Sequence, residues 1–185
     1  MTADARPATV PVWDRAVRGL HLALAGGTLA TWATGQWWHD SHEWLGYGVG
    51  GVILLRLAWG FVGSPPARFA RFVRGPRSTW AYARAVAGGQ ALRHLGHNPL
   101  GGWMVLALLG CAAATVATGI LYTTDWLWGF EWLHRLHQAL AWTMLLLVLL
   151  HVAGVVFTSL QHRESLVAAM WHGRKRAPAE HDLPA

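Results

Sequence analysis

The stretch Leu136–Thr158, LHQALAWTMLLLVLLHVAGVVFT, decides the fold, because it is apolar, long enough to cross a bilayer and contains two widely spaced histidines. His137 and His151 are fourteen residues apart. In a helix this step returns to within about 40° of the same face and advances roughly 21 Å along the axis. A bilayer core is about 30 Å thick, so one imidazole is expected near each leaflet, with both facing the same interior. Ionisable side chains at membrane depth are costly, and their usual explanation is functional.

The composition of the whole chain agrees with a membrane protein. Of its 185 residues, 54% are hydrophobic and 13% are charged, which is more apolar than a soluble domain of this size. We predict four spans: Val17–Gln36, Leu45–Val62, Leu100–Tyr122 and Leu136–Leu160. Aromatic residues follow the first span instead of a small-residue cleavage site, so we expect a retained helix and not a signal peptide. The predicted fold is therefore an all-α integral membrane protein, a four-transmembrane-helix up-down-up-down bundle.

The orientation of the bundle follows from its arginines. The connection 64–98 contains six arginines and no acidic residue, and both termini are also basic. In contrast, the connection 36–43 has no arginine or lysine, and 123–135 has only Arg135. The positive-inside rule then puts both termini and the long middle connection in the cytoplasm, in a multi-pass protein of the cytoplasmic (inner) membrane. Binding to nucleic acid is a much weaker explanation of these arginines, because membrane spans flank them.

Two more histidines, His21 and His42, lie near the starts of two other spans. Together with the first pair they make four histidines in two depth layers, which is what two stacked haems with two axial imidazoles each would need. Cys111 is the single cysteine of the chain. A lone cysteine excludes an internal disulfide and a C-x-x-C-H attachment, so any haem is held non-covalently and is b-type.

Other interpretations of these histidines stay open. For any one of them, a hydrogen bond between helices is an alternative. A zinc site in the segment 39–43, which contains His39 and His42, is weaker because no cysteine accompanies them. The chain has no P-loop, no dinucleotide-binding glycine motif and no H-E-x-x-H motif.

Several neighbouring residues are candidates for the same site. Gly46 and Gly50 share a helical face with His42 and either leave room for a flat macrocycle or allow close helix packing. Arg56 lies about two turns before the end of the second span, where it either pairs with a haem propionate or snorkels to the inner headgroups. His97 either binds a quinone or a propionate or is a surface loop histidine.

Two local features are predicted for the long middle connection. The segment Ser78–Arg93, with Ser78 as its N-cap, is expected to form a short amphipathic helix on the cytoplasmic surface. Asn98 is expected to cap the third span, with Pro99 at its first helical position.

Motifs along nearly the whole chain, at about residues 12–176, resemble the prokaryotic cytochrome b561 family, which is akin to the cytochrome b subunits of nickel–iron hydrogenases. The motifs that carry the resemblance are Val12-Trp13-Asp14-Arg15, His42-Glu43-Trp44-Leu45-Gly46-Tyr47, Arg56-Leu57-Ala58-Trp59-Gly60, Gly96-His97-Asn98-Pro99-Leu100-Gly101, Leu150-His151-Val152-Ala153-Gly154-Val155 and His162-Arg163-Glu164-Ser165-Leu166-Val167. The resemblance implies a di-haem membrane domain over residues 12–176, and the positive-inside rule makes the flanking residues 1–11 and 177–185 cytoplasmic tails. It also implies axial ligation by the four histidines already selected, His21, His42, His137 and His151, and none of them departs from the family pattern. His39 and His134 are not expected to be ligands.

The expected function is electron transfer, because an iron with two histidine ligands has no open axial position. We expect the chain to carry electrons between the quinone pool and a periplasmic redox partner, such as a hydrogenase or a c-type cytochrome. One alternative is a free-standing superoxide:quinone-type oxidoreductase, and another is a non-redox membrane protein whose histidines bind zinc or merely pack. With the N-terminus inside, depth pairs His42 with His137 at the outer haem and His21 with His151 at the inner haem.

Overall fold

The computed structural model describes residues 8–35, 37–179 and 182–183. Gln36, the predicted end of the first span, lies outside the described residues, as do residues 1–7 and 180, 181, 184 and 185 of the predicted tails. The described residues form mostly helices: α1 Arg15–Thr34, α2 His39–Val62, α3 Phe69–Phe72, α4 Pro76–Ala87, α5 Pro99–Tyr122, α6 Glu131–His162 and α7 Leu166–His172. Two short strands, β1 Thr9–Pro11 and β2 Arg174–Arg176, pair antiparallel.

The ends of the helices follow from local sequence. Before α5, the Asn98 side chain accepts a hydrogen bond of 2.7 Å from the Gly101 amide, which confirms Asn98 as the cap and Pro99 as the first helical residue. The predicted bounds of the preceding helix are wrong. α4 begins at Pro76 rather than after Ser78, because proline is well suited to a first helical position, and it ends at Ala87 before two glycines.

Within the described residues, three helices are long and apolar enough to cross a membrane: Asp40–Val62, Pro99–Tyr122 and Glu131–His162. They correspond to the second, third and fourth predicted spans. α1 is 20 residues long but is not among them, because Arg15, Arg18 and His21 lower its hydropathy. Apart from its one short β-ladder, the structure is therefore that of a helical membrane protein, and a fourth crossing stays a prediction.

The chain divides into two compact units, and each is described by itself. The histidine unit comprises Gly19–Ala58 and Met104–His151. Its core is a cluster of buried side chains contributed by α2, α5 and α6, and Leu24 of α1 packs against it. The buried members of this cluster, called the middle layer below, are Val49, Ile53, Ala112 and Met144.

The terminal unit comprises Met1–Arg18, Trp59–Trp103 and Val152–Ala185. Its apolar core contains Val12, Trp13, Val17 and Ala67. The β-ladder next to this core pairs Val10 with Lys175, and Lys175 is buried beside the Trp13 ring, with its amine 5.7 Å from the ring centroid. The ladder thus joins the two ends of the described chain.

A buried ionic cluster fastens the C-terminal segment within the terminal unit. Arg93 donates two hydrogen bonds to the Glu164 carboxylate, at 3.0 and 2.7 Å, and it also donates to Asp182 and to the Arg176 carbonyl. Although burial acts in the opposite direction, the hydrogen bonds from Arg93 and from the Arg176 amide lower the pKa of the Glu164 carboxyl. Burial lowers the pKa of the Lys175 amine to about 8.

Candidate functional site

His42 of α2 and His137 of α6 face each other inside the histidine unit. Their ring centroids are 6.0 Å apart, and the ring planes are nearly perpendicular, at 89°. The Nδ1 atom of His42 lies 2.8 Å from the Thr31 carbonyl oxygen, and Nδ1 of His137 lies 3.0 Å from the Thr115 carbonyl oxygen. A carbonyl only accepts, so each Nδ1 donates in these contacts, and each Nε2 retains the lone pair that binds a metal.

The other two predicted ligands form a second pair in the same unit. The ring centroids of His21 in α1 and His151 in α6 are 6.3 Å apart, with ring planes at 53°. Nδ1 of His21 is buried and has no hydrogen-bond partner among the residues that the structure describes. These two pairs are the ones that the depth argument predicts, while their ligation to iron stays a prediction.

The separation of the rings fits two axial ligands of one metal. An imidazole nitrogen binds a first-row metal at about 2 Å and lies about 1 Å from its own ring centroid, so two opposed ligands have centroids about 6 Å apart. The observed separations are 6.0 and 6.3 Å. Each pair therefore has the spacing of a bis-imidazole centre.

The number of protein ligands distinguishes haem from zinc. Among the described residues, no three His, Cys, Asp or Glu side chains lie together in a way that would hold a metal ion. Zinc sites take three or four protein ligands, whereas haem supplies four nitrogens of its own and needs only two axial ligands. Two separate histidine pairs thus have the number of protein ligands that a tetrapyrrole needs. The side chain of His39 is outside the described part of the chain.

Glycines lie directly behind the rings of His42 and His137. A Cβ atom at Gly35 would lie 3.0 Å from Nδ1 of His42, and one at Gly119 would lie 3.1 Å from Cε1 of His137. Both distances are tighter than ordinary contact, so a side chain at either glycine would force the neighbouring imidazole to shift. Sequence analysis missed these two positions.

The two glycines selected from the sequence differ from each other in their surroundings. A Cβ at Gly50 would lie 3.1 Å from Cγ1 of Val116, which favours the close-packing alternative. A Cβ at Gly46 would meet no atom within 4 Å, so the space beside it is open.

Arg56 is buried in the histidine unit, with 6% of its surface exposed. It lies close enough to His21 for an electrostatic interaction. A snorkelling arginine keeps its charged head in water or among headgroups, so burial beside His21 favours the propionate interpretation over that alternative.

The remaining candidate histidines lie elsewhere. In the terminal unit, the ring of His97 packs 4.8 Å from the Trp13 ring and 4.4 Å from the Phe72 ring, measured between centroids. It is therefore part of an aromatic cluster and not an exposed loop residue. His134 packs beside Tyr122, with 5.6 Å between the ring centroids, and is a member of neither histidine pair.

Comparison with known proteins identifies one family. The family model described as prokaryotic cytochrome b561 matches residues 12–173, and these residues include all four paired histidines. No curated protein and no solved structure matches the chain significantly.

Proposed function

Since the chain belongs to the prokaryotic cytochrome b561 family of b-type haem electron-transfer membrane proteins, we propose that it carries electrons through the cytoplasmic membrane between a periplasmic redox partner and the quinone pool. In this proposal the chain holds two non-covalent haems b. His42 and His137 are the axial ligands of the outer haem, and His21 and His151 are those of the inner haem.

One observation carries the proposal. In each of the two histidine pairs the ring centroids are 6.0 or 6.3 Å apart, which is the separation of two imidazoles bound to one metal. Each histidine pair would hold one haem, and the haem would supply one-electron transfer there. The Thr31 carbonyl fixes the tautomer of His42, and the Thr115 carbonyl does the same for His137. Such hydrogen bonds orient each imidazole before the cofactor arrives.

Arg56 is proposed to neutralise a propionate of the inner haem. Its burial beside His21 supports this role, because a guanidinium inside a membrane protein is stable when it meets an anion. A cation near the inner haem also disfavours the oxidised and more positive iron.

The proposed topology has four crossings with both termini in the cytoplasm. α1 is included although it is less apolar than the other three helices, because its His21 faces His151 of α6, which is a candidate span. The arginine distribution supports the orientation. Haem binding would also satisfy the polar ring that makes α1 weakly hydrophobic.

Charge at the outer end favours a protein donor or acceptor over superoxide. On the proposed topology, the outer connections and helix ends contain Asp40, Glu43, Asp125 and Glu131, against Arg135 as the one cation. The Arg135 guanidinium is already paired with Glu131 at 2.9 Å. A net negative surface repels a small anion and steers a partner with a basic docking face.

A reduced-minus-oxidised spectrum with a pyridine haemochrome count tests the proposal. The purified chain should contain two haems b. His42→Ala should lose the outer haem and keep the inner one, and His21→Ala should do the reverse.

The matched control is His134→Ala, which should keep both haems. A chain that binds no haem would refute the function. If His21→Ala and His137→Ala removed the same haem and left the other, the pairing and the topology would both be wrong.

A further inference from the structure

The exposed face of α4 carries a stripe of two arginines around a tryptophan. Arg77, Trp80, Ala81 and Arg84 are spaced along one side of the helix and are all exposed, whereas the opposite side is partly covered. The Trp80 ring is 63% exposed, and no residue of α4 is fully buried. This surface, called the α4 stripe, is therefore an unpartnered amphipathic face.

Contacts within the terminal unit tie the segment before α4 to the ends of two membrane helices. Phe69 packs against Phe61 in the last turn of α2, at 5.5 Å between ring centroids. At the start of α5, the indole of Trp103 donates a 3.0 Å hydrogen bond to the Arg74 carbonyl. Both α2 and α5 are candidate spans. The segment 69–74 thus lies at the level where these helices leave the apolar core.

The charge of this region has one sign. Residues 64–98 contain six arginines and no Asp or Glu. Arg93 is engaged by Glu164 and Asp182, and Arg68 donates to the Gly63 carbonyl. Four exposed arginines remain: Arg71, Arg74, Arg77 and Arg84.

The position of Arg84 over Trp80 prepares the stripe for an anion. The guanidinium carbon of Arg84 lies 5.4 Å from the Trp80 ring centroid. Stacking uses the flat face of a guanidinium and leaves its N–H edge available for phosphate oxygens. Indole rings also prefer the depth of the lipid headgroups.

We propose that the α4 stripe binds anionic phospholipid headgroups, with Arg77 and Arg84 holding the phosphate and Trp80 inserted at the interface. Charge complementarity selects an anionic partner. The lipid surface is favoured over an acidic protein because the neighbouring segment is tethered to two membrane helices and because an apolar ring lies between the cations. This binding does not depend on haem.

The test uses the full-length chain in detergent with a fluorescent probe in the middle of the stripe. Ala81→Cys, in a Cys111→Ser background, carries an environment-sensitive dye. Dihexanoyl phosphatidylglycerol is titrated below its micelle concentration, and dihexanoyl phosphatidylcholine is the neutral comparison. The anionic lipid should shift the dye emission at lower concentration than the neutral one.

The variants measure the contribution of charge. Arg77→Gln should weaken binding of the anionic lipid about fivefold, and the double variant with Arg84→Gln about thirtyfold, since each basic residue near a membrane surface contributes comparably. Arg135→Gln, which removes an equal charge outside the stripe, should leave the affinity unchanged. Lysine at both stripe positions should restore only part of it, because lysine returns the charge without the stacked guanidinium.

Two results would overturn the proposal. An equal response to the anionic and the neutral lipid would mean apolar insertion without recognition of charge. If neither lipid produced a response, the stripe would not bind lipid, and an acidic protein surface would be the better candidate for its partner. Haem content, measured on the same samples, reports the proposed electron-transfer function separately.

Discussion

Replacing Arg93 by methionine is expected to lower the free energy of unfolding by about 3–5 kcal/mol, the usual cost of removing one partner from a buried ion pair. Arg93 is 5% exposed, and the side chains of Glu164 and Asp182 are each 9% exposed. Methionine is long and apolar, so it fills much of the same space. The loss would therefore come from two mostly covered carboxylates that keep only Lys175 and Arg176 as nearby cations, and only to a small extent from a cavity.

The pH dependence of the loss identifies its cause. In the wild type, the hydrogen bonds to Glu164 outweigh its burial and lower its pKa. The stabilisation by a carboxyl with a lowered pKa is complete above its unfolded pKa and is lost as the pH falls through the folded one. Without Arg93, the Glu164 carboxyl would keep the Arg176 amide and the nearby Lys175 charge but lose the hydrogen bonds and the charge of Arg93, so its pKa would rise and it would be protonated at higher pH than in the wild type. The difference between the wild type and Arg93→Met should thus shrink between about pH 7 and pH 4.

A matched control is available on the same chain. Arg135 forms an ion pair with Glu131 at 2.9 Å, but these side chains are 75% and 70% exposed. Exposed pairs contribute about 0–1 kcal/mol, so Arg135→Met should have little effect.

The assay is thermal unfolding of the full chain in detergent, followed by far-ultraviolet circular dichroism at several pH values. Equal losses at positions 93 and 135 would refute the reasoning. So would a loss at Arg93 that does not change with pH.

Three further results are expected. Because burial lowers the pKa of Lys175 to about 8, the wild type should become more stable as the pH rises from 8 towards the ordinary pKa of lysine. Lys175→Met should abolish this rise in the thermal midpoint. If the variant kept the pH profile of the wild type, the burial of the amine would be contradicted. Arg56→Leu should lower the midpoint potential of the inner haem in a redox titration, because removal of a cation favours the oxidised iron, whereas an unchanged potential would favour snorkelling. Gly119→Val should displace the His137 ring and reduce the outer-haem absorbance. The control Gly110→Val should not, because a Cβ at that position meets no atom within 4 Å. Equal spectra of the two variants would show that the haem site does not need a glycine at position 119.

The histidine pairs could be predicted from the sequence because they depend on two simple quantities, the helical period and the depth of each residue in the membrane. The step of fourteen residues from His137 to His151 determines both the shared face and the two layers. The partners in α1 and α2 then follow from chain direction alone. The structure brings the same pairs together, at 6.3 and 6.0 Å.

The residues that contact the histidine rings could not be predicted in this way. Thr31 and Gly35 meet His42 only because α1 and α2 pack side by side. Their contacts depend on the packing geometry of the helices, which the hydrophobic pattern does not contain. A sequence motif also cannot identify Thr31, because its contact with His42 is made by the backbone carbonyl and not by the hydroxyl.

Arg93 illustrates a different failure of sequence reasoning. Counted with the other arginines of the middle connection, it served as a topology signal. In the structure it is buried and bound by Glu164 and Asp182, which follow it by 71 and 89 residues. A charge count treats every arginine alike, whereas an arginine that is paired inside the protein, like Arg93, cannot contact the membrane surface.

The middle layer explains why loss of one histidine can be separated from loss of the fold. Met144, a buried member of this layer, lies seven residues from His137 and seven from His151, or about 10 Å along the helix from each. The apolar side chains of α2, α5 and α6 therefore meet between the two histidine pairs and bury their surface without any cofactor. Packing at this level can hold the helices together when one haem is absent. Removal of a single ligand should consequently act on its own layer, and this independence is what allows the spectra of His42→Ala and His21→Ala to assign each haem to its pair.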